Sequence, residues 1–135
     1  MKVFLSNARK DDELARKLRS QLQEEGFAVW TPEDQISPGE NWAKEVAKGL
    51  DNSELMVILV TPRAFESDVL RQNVEFAIGS EKYADRVFSV FVGATADAGK
   101  DVPWILLKLP HRQVKSVRGF PEVVRDIRQM SLAHA

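Results

Sequence analysis

The chain has 135 residues with a formal net charge of −1 from 19 basic and 20 acidic side chains; that length reads as one domain spanning 1–135, and the balance lacks the basic excess of a broad nucleic-acid footprint. Cysteine is absent, which excludes disulfides, a thiolate nucleophile and Cys-ligated metal sites, and fits a reducing, cytoplasmic compartment. The apolar run Val3-Phe4-Leu5 is too short for a signal peptide, and no stretch approaches the ~18–20 apolar residues that cross a bilayer.

Lys2 to Ser6 is a short strand-forming run broken by Asn7. A helix follows, with Asp11 or Asp12 as its cap, Leu14, Leu18 and Leu22 repeating every four residues, and Gly26 suited to the left-handed position beyond its end. Phe27 to Trp30 reads as the second strand, and Thr31 to Gly39 as a loop punctuated by Pro32 and Pro38-Gly39. The next helix runs from about Glu40 to Leu50, with Trp42, Val46 and Leu50 on one face.

Leu55 to Val60 is continuously apolar, as befits a central strand covered on both faces. Thr61-Pro62 predicts the start of a third helix, with Thr61 as cap and Pro62 in its first turn, running to Ile78 or Gly79. Within it Glu75 is positioned to pair with Arg71, four residues earlier. Arg86 to Val92 is the fourth strand and Gly93 to Asp101 a polar loop. Val102 to Leu109 is either a short helix or an irregular apolar segment. Arg112 to Val117 is a weak edge strand, and Pro121 to Met130 the last helix.

Strand alternates with helix along the chain, the pattern of βαβ units with right-handed crossovers. With the most apolar strand central, the order is 2-1-3-4-5: an α/β, flavodoxin-like, doubly wound parallel sheet of about five strands with helices on both faces. In that order a crevice opens beyond the C-terminal ends of strands 1 and 3. Neither G-x-G-x-x-G nor a P-loop motif follows the first strand. His111 and His134 are the only histidines, and no other residues complete a metal site or a Ser-His-Asp arrangement around them. The acidic pair and strand-3 Asp of a receiver domain are replaced by Ser6-Asn7 and Val60-Thr61.

Three segments, in order, resemble the Toll/interleukin-receptor (TIR) family. They are Val3-Phe4-Leu5-Ser6-Asn7-Ala8-Arg9-Lys10-Asp11; Gly26-Phe27-Ala28-Val29-Trp30 with Glu33-Asp34-Gln35-Ile36-Ser37-Pro38-Gly39-Glu40-Asn41-Trp42; and Leu59-Val60-Thr61-Pro62 with Phe65-Glu66-Ser67 and Glu75-Phe76-Ala77. The resemblance implies a bacterial-type signalling domain, in defence or innate immunity, that assembles with itself or with other TIR domains. It also implies, for many members, cleavage of NAD at the nicotinamide–ribose bond, with cyclisation in some. NAD would then be substrate or ligand rather than a resident cofactor, and nucleic acid, membrane and metal have no part.

Carried over residue by residue, the resemblance assigns nucleotide contacts to Asn7, Arg9, Trp30, Val69 and Asn73. Trp30 would stack on a base and Arg9 would hold phosphate. The assembly loop would comprise Glu33, Asp34, Ile36, Pro38 and Gly39. The family's Ser-x-Trp-x-x-x-Glu segment aligns from Ser67, so Val69 stands at its Trp and Asn73 at its catalytic Glu. Asn73 cannot carry negative charge or act as a base. Glu75 is the nearby substitute catalyst, but two helical steps turn it by about 200° from whatever Asn73 faces. Two functions follow: a binding and assembly module, or an NAD+ glycohydrolase or cyclase.

Overall fold

The computed structural model describes residues 1–31, 42–93 and 102–134, and the side chain of Trp42 is outside what it describes. The expected assembly loop, with Glu33, Asp34, Ile36, Pro38 and Gly39, and the polar loop after residue 93 lie outside the described residues.

Strands β1 (Lys2–Ser6), β2 (Ala28–Trp30), β3 (Leu55–Val60), β4 (Val87–Val92) and β5 (His111–Val114) alternate with helices α1 (Asp12–Glu24), α2 (Trp42–Asn52), α3 (Asp68–Ile78) and α4 (Phe120–Ala133). All neighbouring strands pair in parallel, and the sheet order is β2-β1-β3-β4-β5. This is the flavodoxin-like order expected from the alternation of strand and helix. All residues of β3 and β4 are buried, which is why their sequences, Ser89 of β4 apart, are apolar without alternation.

The pleat divides the core in two. Val3, Leu5, Val57 and Val90 pack against Leu18 and Leu22 of α1 and Ile127 of α4. On the other face, Phe4, Ile58, Val60 and Phe91 pack against Leu50 of α2 and Leu70, Val74 and Ala77 of α3. Gly26 closes α1 at φ +94°, a conformation in which a Cβ would be strained.

Two boundaries differ from expectation, and the segment with two readings takes one of them. Helix α3 starts at Asp68 rather than Thr61-Pro62. Arg63 adopts φ 67°, which cannot continue a right-handed helix, and Ala64–Glu66 forms a single 3-10 turn before the chain restarts. Ser67 is the true cap, its Oγ accepting the Leu70 N–H at 3.2 Å, a bond worth about 1 kcal/mol. Strand β5 ends at Val114 because Ser116 Oγ accepts the Arg118 N–H and turns the chain into the 3-10 segment Val117–Gly119. The ambiguous segment at 102–109 contains a 3-10 helix, Trp104–Leu107, whose Leu106 is buried on the α2/α3 side.

Candidate functional site at the rim of the first and third strands

Ser6 ends β1 and is buried, its Oγ without a hydrogen-bond partner among the described residues. Asn7 follows, half-buried. Its Nδ2 donates to Ala8 O at 2.7 Å and to Asp12 Oδ1 at 2.8 Å. The amide is therefore engaged in shaping the loop and joining it to the first turn of α1. Asp12, rather than capping that helix, accepts this bond; Asp11 stands at the cap position with no side-chain cap bond.

Asp11 is taken up across the crevice. Thr61 Oγ1 donates to Asp11 Oδ2 at 2.5 Å and accepts from Lys10 Nζ at 3.3 Å. Lys10 Nζ also donates to Pro62 O at 2.5 Å. A strap thus ties the loop after β1 to the loop after β3 over the switch point. It explains why Thr61 does not cap a helix: its hydroxyl is already engaged. Lys10, Asp11 and Thr61 were legible in the sequence only as helix-start chemistry, because the bonds between them span 50 or 51 residues. The partly exposed Lys10–Asp11 ion pair, at 4.0 Å, adds about 1 kcal/mol at most. Arg9 is exposed, next in sequence to Lys10 of the strap.

Trp30 lies inside the fold. It is 8% exposed, opposite Phe4 in register, and stacked on that ring at 4.8 Å with an interplanar angle of 18°. The α2 backbone lies against its benzene ring so closely that a Cβ on Gly49 would come within 2.6 Å. In this conformation Trp30 is a packing residue, and stacking on a base would require it to leave Phe4.

Helix α3 carries the three remaining candidates and separates Asn73 from Glu75. Asn73 is 7% exposed, on the buried face it shares with Leu70, Val74 and Ala77. Val69 is 38% exposed one turn before it. Glu75 is exposed on the outer face. Arg71 pairs with Asp68 and donates to Phe65 O at 2.8 Å, not to Glu75. Asn7, Arg9 and Thr61 therefore gather at the rim, Trp30 and Asn73 belong to the packed layer beneath α2 and α3, and Glu75 joins neither group.

Among the described residues no cluster of His, Asp and Glu could hold a metal ion, and no helix is long and apolar enough to cross a membrane. A groove of about 700 Å³ between α1 and α4, lined in part by Glu24, Arg125 and Arg128, lies on the opposite side of the sheet from α3.

A family model described as a TIR domain matches residues 3–119. The chain is 26% identical over 127 residues to the NAD(+) hydrolase TcpA of Theionarchaea archaeon, covering 93% of this chain and 38% of that protein. It is 32% identical over 60 residues to the 2' cyclic ADP-D-ribose synthase BtTIR of Bacteroides thetaiotaomicron, covering 44% and 21% respectively. The chain thus spans well under half the length of these curated relatives. Among solved structures, the TIR domain of the Toll-related receptor TRR-2 from Hydra magnipapillata has the same fold, with a TM-score of 0.71 at 17% identity, covering 93% of this chain and 97% of that one.

Proposed function

The chain belongs to the TIR domain family, and from that premise we propose that it is a signalling module acting by assembly with itself or with another TIR domain. On this reading its rim at β1 and β3 binds NAD or a related nucleotide without cleaving it. The observation that carries the reading is the pairing of Asn73 with Glu75. The position where the family resemblance puts a catalytic Glu holds a neutral, buried amide, and Glu75, the nearest carboxylate in the sequence, is exposed on the other side of α3. An amide can hydrogen-bond a ligand but cannot stabilise an oxocarbenium-like ribose by charge or attack it.

The rim retains what binding needs. Arg9 is exposed for phosphate, and the Lys10–Thr61–Asp11 strap holds the two loops in register. Light scattering over a concentration series should reveal self-association, and titration calorimetry with NAD and with ADP-ribose should reveal binding. A strictly monomeric protein that captures no TIR partner would sink the assembly reading.

The second reading, an NAD+ glycohydrolase or cyclase, is favoured by the activities named for the two relatives. Nicotinamide release from NAD by concentrated protein, with and without crowding agent, decides it. Steady turnover would replace the first reading with this one.

A further inference from the structure

We propose that the strap over the rim is a two-tier latch, in which a diphosphate-bearing ligand draws Lys10 away and so releases a strained linker between β3 and α3. This rests on the nucleotide-binding reading above and gives that site a regulation. Thr61 and Asp11 form the fixed lower tier. Thr61 is buried, the Asp11 side chain is only 13% exposed, and the Thr61 hydroxyl proton is directed to Asp11 Oδ2, so this bond does not depend on Lys10. Lys10 is the upper tier, its side chain 49% exposed. Its ammonium donates to two neutral oxygens, Thr61 Oγ1 and Pro62 O, and stands 4.0 Å from Asp11 Oδ2. A phosphate oxygen offers that ammonium a charged acceptor in place of neutral ones.

What Lys10 restrains is the residue before a strained one. Arg63 takes φ 67° and ψ 15°, a left-handed conformation in which its Cβ crowds the following carbonyl. Such strain persists where surrounding contacts over-determine the backbone. Here the local contacts are Ala64 N–H to Thr61 O at 3.0 Å, Glu66 N–H to Arg63 O at 3.2 Å and the exposed Arg63–Glu66 ion pair at 2.9 Å. The contact from the far loop is Lys10 on Pro62 O. Ala64 and Phe65 are anchored in the core, and Thr61 is held by Asp11. Relaxation is therefore confined to Pro62 and Arg63, which are both exposed.

The ligand's anion and the Pro62 carbonyl compete for one ammonium. Binding moves Lys10 to the anion and leaves the linker turn with one restraint fewer, a differential contact of the kind that shifts a conformational equilibrium. The lower tier keeps the loops after β1 and β3 together throughout, so the ligand does not dismantle its own rim.

The test is amide hydrogen exchange of the full chain, followed by NMR at Ala64 and Glu66. K10M keeps the stem and removes the ammonium. It should speed exchange at both amides by about three- to tenfold, the effect of one hydrogen bond, and leave the amides of β3 unchanged. Glycine accepts φ 67° without strain, so the K10M effect should be smaller in an R63G background. Saturating ADP-ribose should reproduce the K10M effect in wild type and add nothing to it in K10M, and inorganic pyrophosphate should act likewise. Unchanged exchange in K10M overturns the latch. An equal K10M effect in both backgrounds overturns the role of strain. ADP-ribose that binds by calorimetry without altering exchange overturns the anion trigger while the nucleotide reading stands. If neither NAD nor ADP-ribose binds and pyrophosphate alone loosens the linker, the latch stands and the nucleotide reading falls; if none of the three binds, the trigger falls with it.

Discussion

Asn73 and Glu75 stand two residues apart on α3 and face opposite environments: Asn73 is 7% exposed against the sheet, and Glu75 is exposed to solvent. The rotation of about 200° between them follows from helical geometry alone, so no side-chain rearrangement exchanges their roles. Glu75→Ala should therefore leave nicotinamide release from NAD at the wild-type level. Asn73→Glu should lower stability by about 1–3 kcal/mol, because a carboxylate replaces an amide in a mostly apolar layer. Its buried carboxyl has a raised pKa, so the loss should be larger at pH 8 than at pH 5, as thermal melts at the two values will show.

Trp30 and Gly49 make a second falsifiable pair. A Cβ at position 49 would lie 2.6 Å from the Trp30 ring, and Phe4 stacked at 4.8 Å limits the ring's retreat. Gly49→Ala should cost about 1–3 kcal/mol, more than the helix propensity gained by replacing glycine. Denaturant titration measures the cost. A stabilised Gly49→Ala variant would mean that Trp30 is free to move, and would reopen its role as a stacking residue for a nucleotide.

Tyr83 is the only tyrosine in the chain, and its hydroxyl donates to Leu50 O and Ser53 O at the end of α2. Burial, with a smaller contribution from Asp51, pushes its pKa up to about 12. The folded state thus holds the phenol proton more tightly than the unfolded chain, whose tyrosine titrates near ~10. The corresponding stability is fully present below about pH 10 and is lost progressively as pH rises toward 12. Tyrosinate absorbance, followed with denaturant midpoints between pH 8 and 11.5, should show that decline, and Tyr83→Phe should abolish this part of it. Tyr83→Phe itself should cost about 1 kcal/mol at neutral pH by removing the donor to Ser53 O and one of the two donors to Leu50 O, which Lys82 Nζ also reaches.

Two fully buried serines should respond to alanine with opposite signs. Ser53 Oγ donates to Gly49 O at 2.7 Å, so Ser53→Ala should destabilise by about 1 kcal/mol. Ser89 Oγ has no partner among the described residues, so Ser89→Ala removes an unsatisfied hydroxyl and should be neutral or stabilising by up to about 1 kcal/mol. Equal losses in thermal melts of the two variants would show that Ser89 is hydrogen-bonded in solution, most simply through a water.

The sheet was legible because hydrophobic burial writes itself locally. A run such as Leu55 to Val60, with no polar residue, has few folds other than a central strand, and the alternation of strand and helix then dictates parallel pairing and the 2-1-3-4-5 order. Helix α3 shows where local reading stops. Thr61-Pro62 is good helix-start chemistry, yet Thr61 bonds Asp11 and Lys10 from the far side of the crevice, Arg63 turns left-handed, and Ser67 becomes the cap. Nothing within a few residues of Thr61 announces a competitor 50 residues away.

What the sequence by itself determined is the family, the parallel doubly wound sheet and the absence of a carboxylate at position 73, since each depends on residue identity and local periodicity. It also determined that Asn73 and Glu75 point apart, because helix geometry is independent of context. Only the tertiary structure decided that Trp30 spends its ring on Phe4, that Lys10, Asp11 and Thr61 strap the rim, and that Trp104 projects into solvent. Those outcomes depend on which surfaces meet when distant segments pack, and side chains go wherever burial and hydrogen bonding across the sheet are best satisfied.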